Sequence, residues 1–176
     1  TGRAMSEAGP LATIERMTPA DWSDVRRIYA EGIATGDATL EREAPDWNHF
    51  DHSHPNECRL VARDETGATI GWTALGGYSS RTVYNGVAWE SVYVAEAARG
   101  RGVGRALLGA LIVASESAGF WTLLAGVLAE NAPSLALHEG VGFRRIGVQH
   151  RLGQDARGRW RDVVLLERRS TLIATD

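Results

Sequence analysis

Apolar residues along this chain recur in two rhythms that take turns, every second residue in some stretches and every third or fourth in others. Thr13 to Met17 alternates as an opening strand. Thr18-Pro19-Ala20-Asp21 then offers a helix N-cap, a proline at the first helical position and an acid at the third, followed by the stripe Trp22, Val25, Ile28 and Tyr29. A looser segment from Gly32 to Pro55 holds a short helix around Trp47 to Asp51. Strands follow at Cys58 to Arg63 and Ile70 to Gly77, joined by the turn Asp64-Glu65-Thr66-Gly67. Val87 to Val94 is a further strand, and the next helix puts Leu107, Leu108, Leu111, Ile112 and Ser115 on one side and stops near Gly119. Trp121 to Val127 reads as a buried parallel strand, and Glu130 to Phe143 as a short helix with Pro133 near its start and Gly142 as C-cap. Two last strands, Arg144 to Leu152 and Arg161 to Glu167, flank a turn at Gln154 to Gly158. Without a long linker, repeat or low-complexity tract, this is one mixed α/β domain over residues 13–169. Residues 1–12 are expected to be a tail or expression scar, and 170–176 a C-terminal tail.

The segment between the strand at Val87 to Val94 and its following helix carries the chemistry. Arg99-Gly100-Arg101-Gly102-Val103-Gly104-Arg105 has three alternate glycines among arginines. Glycine lets the main chain turn tightly with its N–H groups outward, and the helix start adds unpaired N–H groups and the positive end of its dipole. That combination suits a pyrophosphate. A nucleoside-triphosphate loop would need Lys and then Ser or Thr after the last glycine, where Arg105 and Ala106 stand. A dinucleotide G-x-G-x-x-G would need glycine at 105 or 107, which are Arg105 and Leu107. Arg-x-x-Gly-x-Gly, formed by Arg99, Gly102 and Gly104, remains, with a ligand-free surface turn as the plain alternative.

Composition narrows the partners. Nineteen Lys and Arg stand against 22 Asp and Glu, for a net charge of −3, which leaves no basic footprint for nucleic acid or an anionic membrane. No stretch is apolar enough to span a bilayer, and no signal-peptide layout is present, so the cytoplasm is the expected location. The single cysteine, Cys58, excludes an intrachain disulfide and reads as a small buried hydrophobe.

The Arg99-to-Gly104 motif resembles the coenzyme A site of the GCN5-related N-acetyltransferase (GNAT) superfamily. The phrases Ile28-Tyr29, Thr39-Leu40-Glu41, Ser91-Val92-Tyr93-Val94, Ala129-Glu130-Asn131, Leu137-His138-Glu139, Val141-Gly142-Phe143 and Gly158-Arg159-Trp160-Arg161-Asp162 resemble, in order, its phosphinothricin and methionine-sulfoximine N-acetyltransferases. The resemblance implies an α/β (α+β) fold with a mixed, mostly antiparallel sheet of about six to seven strands, splayed in the middle and flanked by about four helices. It implies acetyl-CoA as cosubstrate, direct transfer to the α-amino group of a small amino acid or toxic analogue, and a homodimer with the site near the interface. An acetyltransferase for peptide N-termini or other amines, or a non-catalytic acyl-CoA sensor, are the other readings.

The same resemblance assigns the cosubstrate to Val92, Tyr93 and Val94, whose main-chain N–H groups hold the thioester carbonyl and pantetheine, to Arg99, Gly100, Arg101, Gly102, Val103, Gly104 and Arg105, and to Asn131. The chemistry needs an amine stripped of its proton, donors for an oxyanion and a proton for the departing thiolate. Glu90 is the carboxylate assigned to the amine, although relatives carry it one place earlier, at Trp89. A shift of one residue turns a strand side chain to the opposite face, so either the strand bulges here or another group serves. His138 is that other group, standing where many superfamily members have a tyrosine that protonates the thiolate. A solvated strand acid and a structural helical histidine are the bland readings of the two.

Arg81 and Tyr84, before the Val87 strand, are the candidate acceptor contacts, because arginine takes a carboxylate or phosphinate bidentately. Thr39 and Glu41 are a further candidate wall, with loop hydrogen bonds as the plainer role. His49, His52 and His54 lack the ligands that would complete a standard metal site, and no metal is expected. The tryptophans read as packing, with Trp160 a candidate for closing the site or a subunit contact.

Overall fold

A computed structural model describes residues 12–176, so the expected N-terminal tail falls, but for its last residue, outside the described residues. Seven strands form one sheet in the order β1-β2-β3-β4-β5-β7-β6. They are β1 (Thr13–Arg16), β2 (Arg59–Arg63), β3 (Thr69–Gly77), β4 (Val87–Val94), β5 (Thr122–Leu128), β6 (Arg144–Gln154) and β7 (Trp160–Arg169), and the helices are α1 (Trp22–Thr35), α2 (Trp47–Ser53), α3 (Val103–Ser117) and α4 (Ala132–Gly140). Every neighbouring pair is antiparallel except β4 with β5. That parallel ladder runs through Val87↔Thr122, Ala88↔Leu123 and Trp89↔Leu124 and stops there, while both strands continue. The sheet is therefore splayed at its centre.

Strand parity sorts the side chains between the two faces. On one face Leu75, Ala88, Leu123, Ala125 and Leu166 pack with Leu108, Leu111 and Leu135 of α3 and α4. On the other, Trp72 and Ala74 pack with Val25, Ile28 and Phe50 of α1 and α2. Full burial of side chains of this size contributes roughly 1.5–3 kcal/mol each before chain entropy is set against it. α1 begins after a 3₁₀ turn, Pro19–Asp21, in which the Thr18 N–H and hydroxyl both donate to the Asp21 carboxylate. The helix also runs further than its apolar stripe suggests, through Gly32 to Thr35. The physical reason is contact: a Cβ at Gly32 would stand 2.7 Å from the Tyr93 ring, so glycine lets the last turn of α1 lie on β4. α4 ends at Gly140 with Val141 as C-cap, and Gly142, at φ +96°, is the left-handed residue just beyond it. No helix among the described residues is long and apolar enough to cross a membrane.

Candidate active site

Where β4 and β5 part, a cleft of about 650 Å³ opens between them. Ala95 N–H donates to Ile70 O, which fixes the alternation of the β3–β4 ladder. Ser91 and Tyr93 thus turn their peptide groups toward β3, and those of Glu90, Val92 and Val94 face the gap that β5 has left. Val92 and Val94 accordingly present main-chain N–H groups to the cleft, whereas the peptide of Tyr93 belongs to the ladder. The Tyr93 ring lies on the α1 face, stacked on Trp72 at 4.9 Å, and burial foremost raises its hydroxyl well above the usual phenol range.

At one end the cleft meets the cradle. Gly100 and Gly102 adopt φ +71° and +86°, values that L side chains rarely take, and Gly102 caps α3 without any side-chain hydrogen bond to the helix. The first intrahelical bond is Ala106 N–H to Gly102 O, so the N–H groups of Val103, Gly104 and Arg105 are left for a ligand. Gly104 matters for room: a Cβ there would sit 3.0 Å from Leu137 of α4. Arg99 and Arg105 line the cleft, with Arg99 Nε bonded to Val94 O at 3.1 Å, while exposed Arg101 stands outside the lining. These groups fit a pyrophosphate at the helix N-terminus and a narrow amide-bearing arm along β4.

The centre of the cleft holds the two candidate proton carriers, and the structure brings them together. The β3–β4 register runs from Gly71↔Val94 to Gly77↔Ala88 without a shift, so no bulge compensates for the glutamate's position. Glu90 consequently shares a face with Ala88 and Val92, toward α4, and Trp89 faces away. Glu90 Oε1 lies 2.7 Å from His138 Nε2, with both side chains buried. His138 Nδ1 lies 2.7 Å from Ser134 O, a pure acceptor, which assigns a proton to Nδ1. The Nε2–Oε1 contact then requires one further proton between the pair. Burial pulls the His138 pKa down, but the hydrogen bond and charge of Glu90, with Ser134 O, outweigh it and leave the imidazole above its ordinary value. The pair is best written as imidazolium and carboxylate. Glu90 Oε2, buried and without a hydrogen-bond partner among the described residues, is left over as an acceptor.

Asn131 lines the cleft as the N-cap of α4, its Oδ1 accepting from Ser134 N and its Nδ2 donating to Asp37 O at 2.9 Å. Arg81 and Tyr84 are not brought to this cleft. Both are exposed, with the Arg81 guanidinium 5.5 Å from the Tyr84 ring centroid, and Tyr84 lines a separate hollow of about 420 Å³ with Tyr78, Trp89, Leu124 and Ile146. Thr39 Oγ1 accepts from Glu41 N, a loop contact. His54 stacks on Phe50 at 4.2 Å, and among the described residues no group of three or more His, Cys, Asp or Glu is placed to hold a metal. Burial pushes the Cys58 thiol up to about 11, far from a nucleophile's range. Sequence reasoning gave no role to Arg161, whose buried guanidinium joins three loops; its visible signals were an arginine inside an alternating strand and its place in the Gly158-to-Asp162 phrase.

A strand parting from its parallel neighbour over a basic glycine cradle, with a carboxylate and an imidazole joined across the gap, defines an acyl-CoA-dependent transferase. The acetyltransferase (GNAT) family model matches residues 22–143, and the chain belongs to that family. It is 33% identical over 165 residues to a phosphinothricin N-acetyltransferase of Alcaligenes faecalis, covering 89% of this chain and 81% of the relative. It is 34% identical over 108 residues to an L-methionine sulfoximine/L-methionine sulfone acetyltransferase of Pseudomonas aeruginosa, covering 61% of this chain and 62% of that one. A solved phosphinothricin acetyltransferase from Sinorhizobium meliloti, in complex with AcCoA, superposes with a TM-score of 0.82 at 31% identity, over 91% of this chain and 89% of that one. The protein is thus an N-acetyltransferase that uses acetyl-CoA.

Proposed function

We propose that the chain acetylates the α-amino group of a small amino-acid-like acceptor of the methionine sulfone, methionine sulfoximine or phosphinothricin kind. The observation that carries this reading is the Glu90–His138 pair, which bridges β4 and α4 inside the cleft and leaves Glu90 Oε2 unpartnered. An ammonium has no lone pair, so the acceptor must first lose a proton, and Oε2 takes it directly or through a water. Acetyl-CoA supplies an acetyl group already activated as a thioester. As the amine nitrogen bonds to the acetyl carbon, Val92 and Val94 N–H donate to the carbonyl oxygen on which negative charge develops. The C–S bond then breaks with its electrons on sulfur; the thiolate takes the proton held between His138 and Glu90, the proton that the nitrogen sheds on becoming an amide returns to that pair, and the one on Oε2 is released to water. Ser134 O keeps the imidazole in the one orientation that serves both ends. The choice of a small amino-acid acceptor draws on the relatives above.

We also propose a homodimer through the uncovered side of the sheet, where Tyr78, Tyr84 and Ile146 are exposed around the hollow that Trp89 and Leu165 line. Sedimentation equilibrium on wild type and Ile146→Glu tests this, with a dimer that the variant dissociates as the expected result.

Thiol release from acetyl-CoA is the test of function, with methionine sulfone, methionine sulfoximine, phosphinothricin, ordinary amino acids and short peptides as acceptors. Saturable turnover with a sulfone, sulfoximine or phosphinate is the expected result. Turnover confined to peptides, or acetyl-CoA binding with no turnover on any acceptor, would overturn the proposal and point to a peptide acetyltransferase or a sensor.

A further inference from the structure

Beyond Trp89↔Leu124 no backbone ladder joins the two walls of the cleft, one built on β4 and α1 and the other on β5, α4 and β7. Side chains must set how far the walls stand apart. Arg161, at the start of β7 and 4% exposed, is placed to do so. Its Nη1 donates to Gly36 O at 2.9 Å and faces Asp155 Oδ2 at 3.3 Å; its Nη2 donates to Asp37 Oδ1 at 2.8 Å and Glu130 Oε2 at 3.1 Å. One planar fork thus ties the end of α1 to the β5–α4 loop and the β6–β7 turn. Asp37 and Glu130 both line the cleft, and Asn131 Nδ2 holds Asp37 O from the α4 side. A little further along the same loop Leu40 presses on β6, where a Cβ at Gly153 would meet it at 2.8 Å.

We infer that Arg161 is a positioning residue that straps the loop after α1 across the splayed cleft and so fixes the acceptor side of the site. Asp37 and Glu130 meet around the guanidinium and carry like charges. Removing the cation therefore releases the loop and also lets the two carboxylates repel. Asp155 is held separately by Arg159 at 2.8 Å, which leaves the β6–β7 turn a tether of its own. The cradle for acetyl-CoA lies on α3, outside this set of contacts, and of the groups assigned to the cosubstrate only Asn131 touches it. The strap should consequently govern the acceptor more than the cosubstrate.

The kinetic part of the test rests on the acetyl-transfer reading above; the exchange part does not. Wild type, Arg161→Met, Arg161→Lys and Asp37→Ala are compared, the last altering a side chain that is 55% exposed and keeping the buried arginine. In the substrate-free protein, amide hydrogen exchange over residues 36–41 should rise about tenfold or more in Arg161→Met and less in Asp37→Ala, with α3 unchanged. With methionine sulfone as acceptor, KM should rise about tenfold or more while the acetyl-CoA dissociation constant stays within about twofold, because a displaced wall misplaces one reactant only. Arg161→Lys, a single charge without the fork, should fall between. If Arg161→Met does not fold, Asp37→Ala carries the same two readouts. Unchanged exchange at 36–41, or an acetyl-CoA constant that weakens as much as the acceptor KM, would overturn the strap. If wild type does not turn over methionine sulfone, the acceptor reading fails while exchange still decides the strap.

Discussion

Replacing Glu90 with Gln separates the chemistry of the buried pair from its architecture. The His138 Nδ1–H keeps donating to Ser134 O, so Nε2 can accept, and the Gln amide can donate to it across the same 2.7 Å. A charge-assisted hydrogen bond of about 1.5–3 kcal/mol becomes a neutral one of about 0.5–1.5, a loss near 1 kcal/mol. In a chain of this length that lowers Tm by about 2–4 °C. Turnover should fall far more, about 10²- to 10⁴-fold, because an amide takes no proton from the amine. His138→Ala is the contrasting variant: it strands a buried carboxylate and should destabilise by about 3–5 kcal/mol.

The pH dependence gives the sharper discrimination. In wild type the folded His138 pKa lies above its unfolded value of about 6.5, because Glu90 and Ser134 O outweigh burial. The pair's contribution is therefore full below about pH 6.5 and is lost as pH rises through the higher folded value. In Glu90→Gln the raising charge is gone and burial dominates, so the folded pKa drops below about 6.5 and stability is instead lost as pH falls through that window. The Tm difference between the two proteins should thus be largest near about pH 5.5 and shrink toward about pH 8.5. Thermal melts across that range, with NMR titration of the His138 ring, measure it. A Glu90→Gln enzyme with near wild-type turnover, or an imidazole pKa unchanged by the substitution, would refute both the assignment of the base and the ion-pair description.

Gly104→Trp should weaken acetyl-CoA binding about a hundredfold or more, about 2.7 kcal/mol, since even a Cβ there meets Leu137 at 3.0 Å; calorimetric titration with a melt to verify folding checks it. Gly86→Ala should lower Tm by about 2–12 °C, because the new Cβ would stand 2.0 Å from the Trp121 ring at the start of the β4–β5 ladder, and activity measured well below Tm should persist. Asp155 is lowered to about 2: burial works against this, but the N–H groups of Arg159 and Arg157 and the Arg159 side chain outweigh it. A depressed carboxylate stabilises above its unfolded pKa and loses that contribution as pH falls through its folded one. The Tm gap between wild type and Asp155→Asn should therefore close between about pH 4 and pH 2 in acid melts.

What could be read from the sequence follows from how locally each feature is determined. The cradle was legible because left-handed glycines and a helix start are demands of a few consecutive residues, and Gly100 and Gly102 do take positive φ. The sheet and its splay were legible through strand periodicity and the resemblance together. Gly32 was misleading as a helix end, because the reason for that glycine is Tyr93, sixty-one positions away in the chain and 2.7 Å away from a Cβ in space. Glu90 and His138 were each identifiable, yet their union was not, since it depends on strand parity and a single bulge would have turned the carboxylate to the other face. Arg161 stood in the Gly158-to-Asp162 phrase, but its role was not readable there, as its partners at Gly36, Asp37, Glu130 and Asp155 are assembled only by the fold.

These long-range contacts have a common location. A parallel pair that parts after Trp89↔Leu124 exposes main-chain donors that a continuous ladder would consume, which is what makes Val92 and Val94 available to a carbonyl. The same parting removes the hydrogen bonds that would hold the two halves of the sheet in register. Glu90–His138, Asn131–Asp37 and Arg161–Asp37 all cross that gap, and each joins a side chain to a group on the opposite wall. The pair proposed to move protons is also a cross-link, which ties its proton affinity to the width of the cleft: widening the gap lengthens the Nε2–Oε1 contact and lets burial pull the imidazole pKa down. Loosening the strap proposed for Arg161 should therefore shift the pH profile of turnover through the distance between the walls, although the arginine touches neither member of the pair.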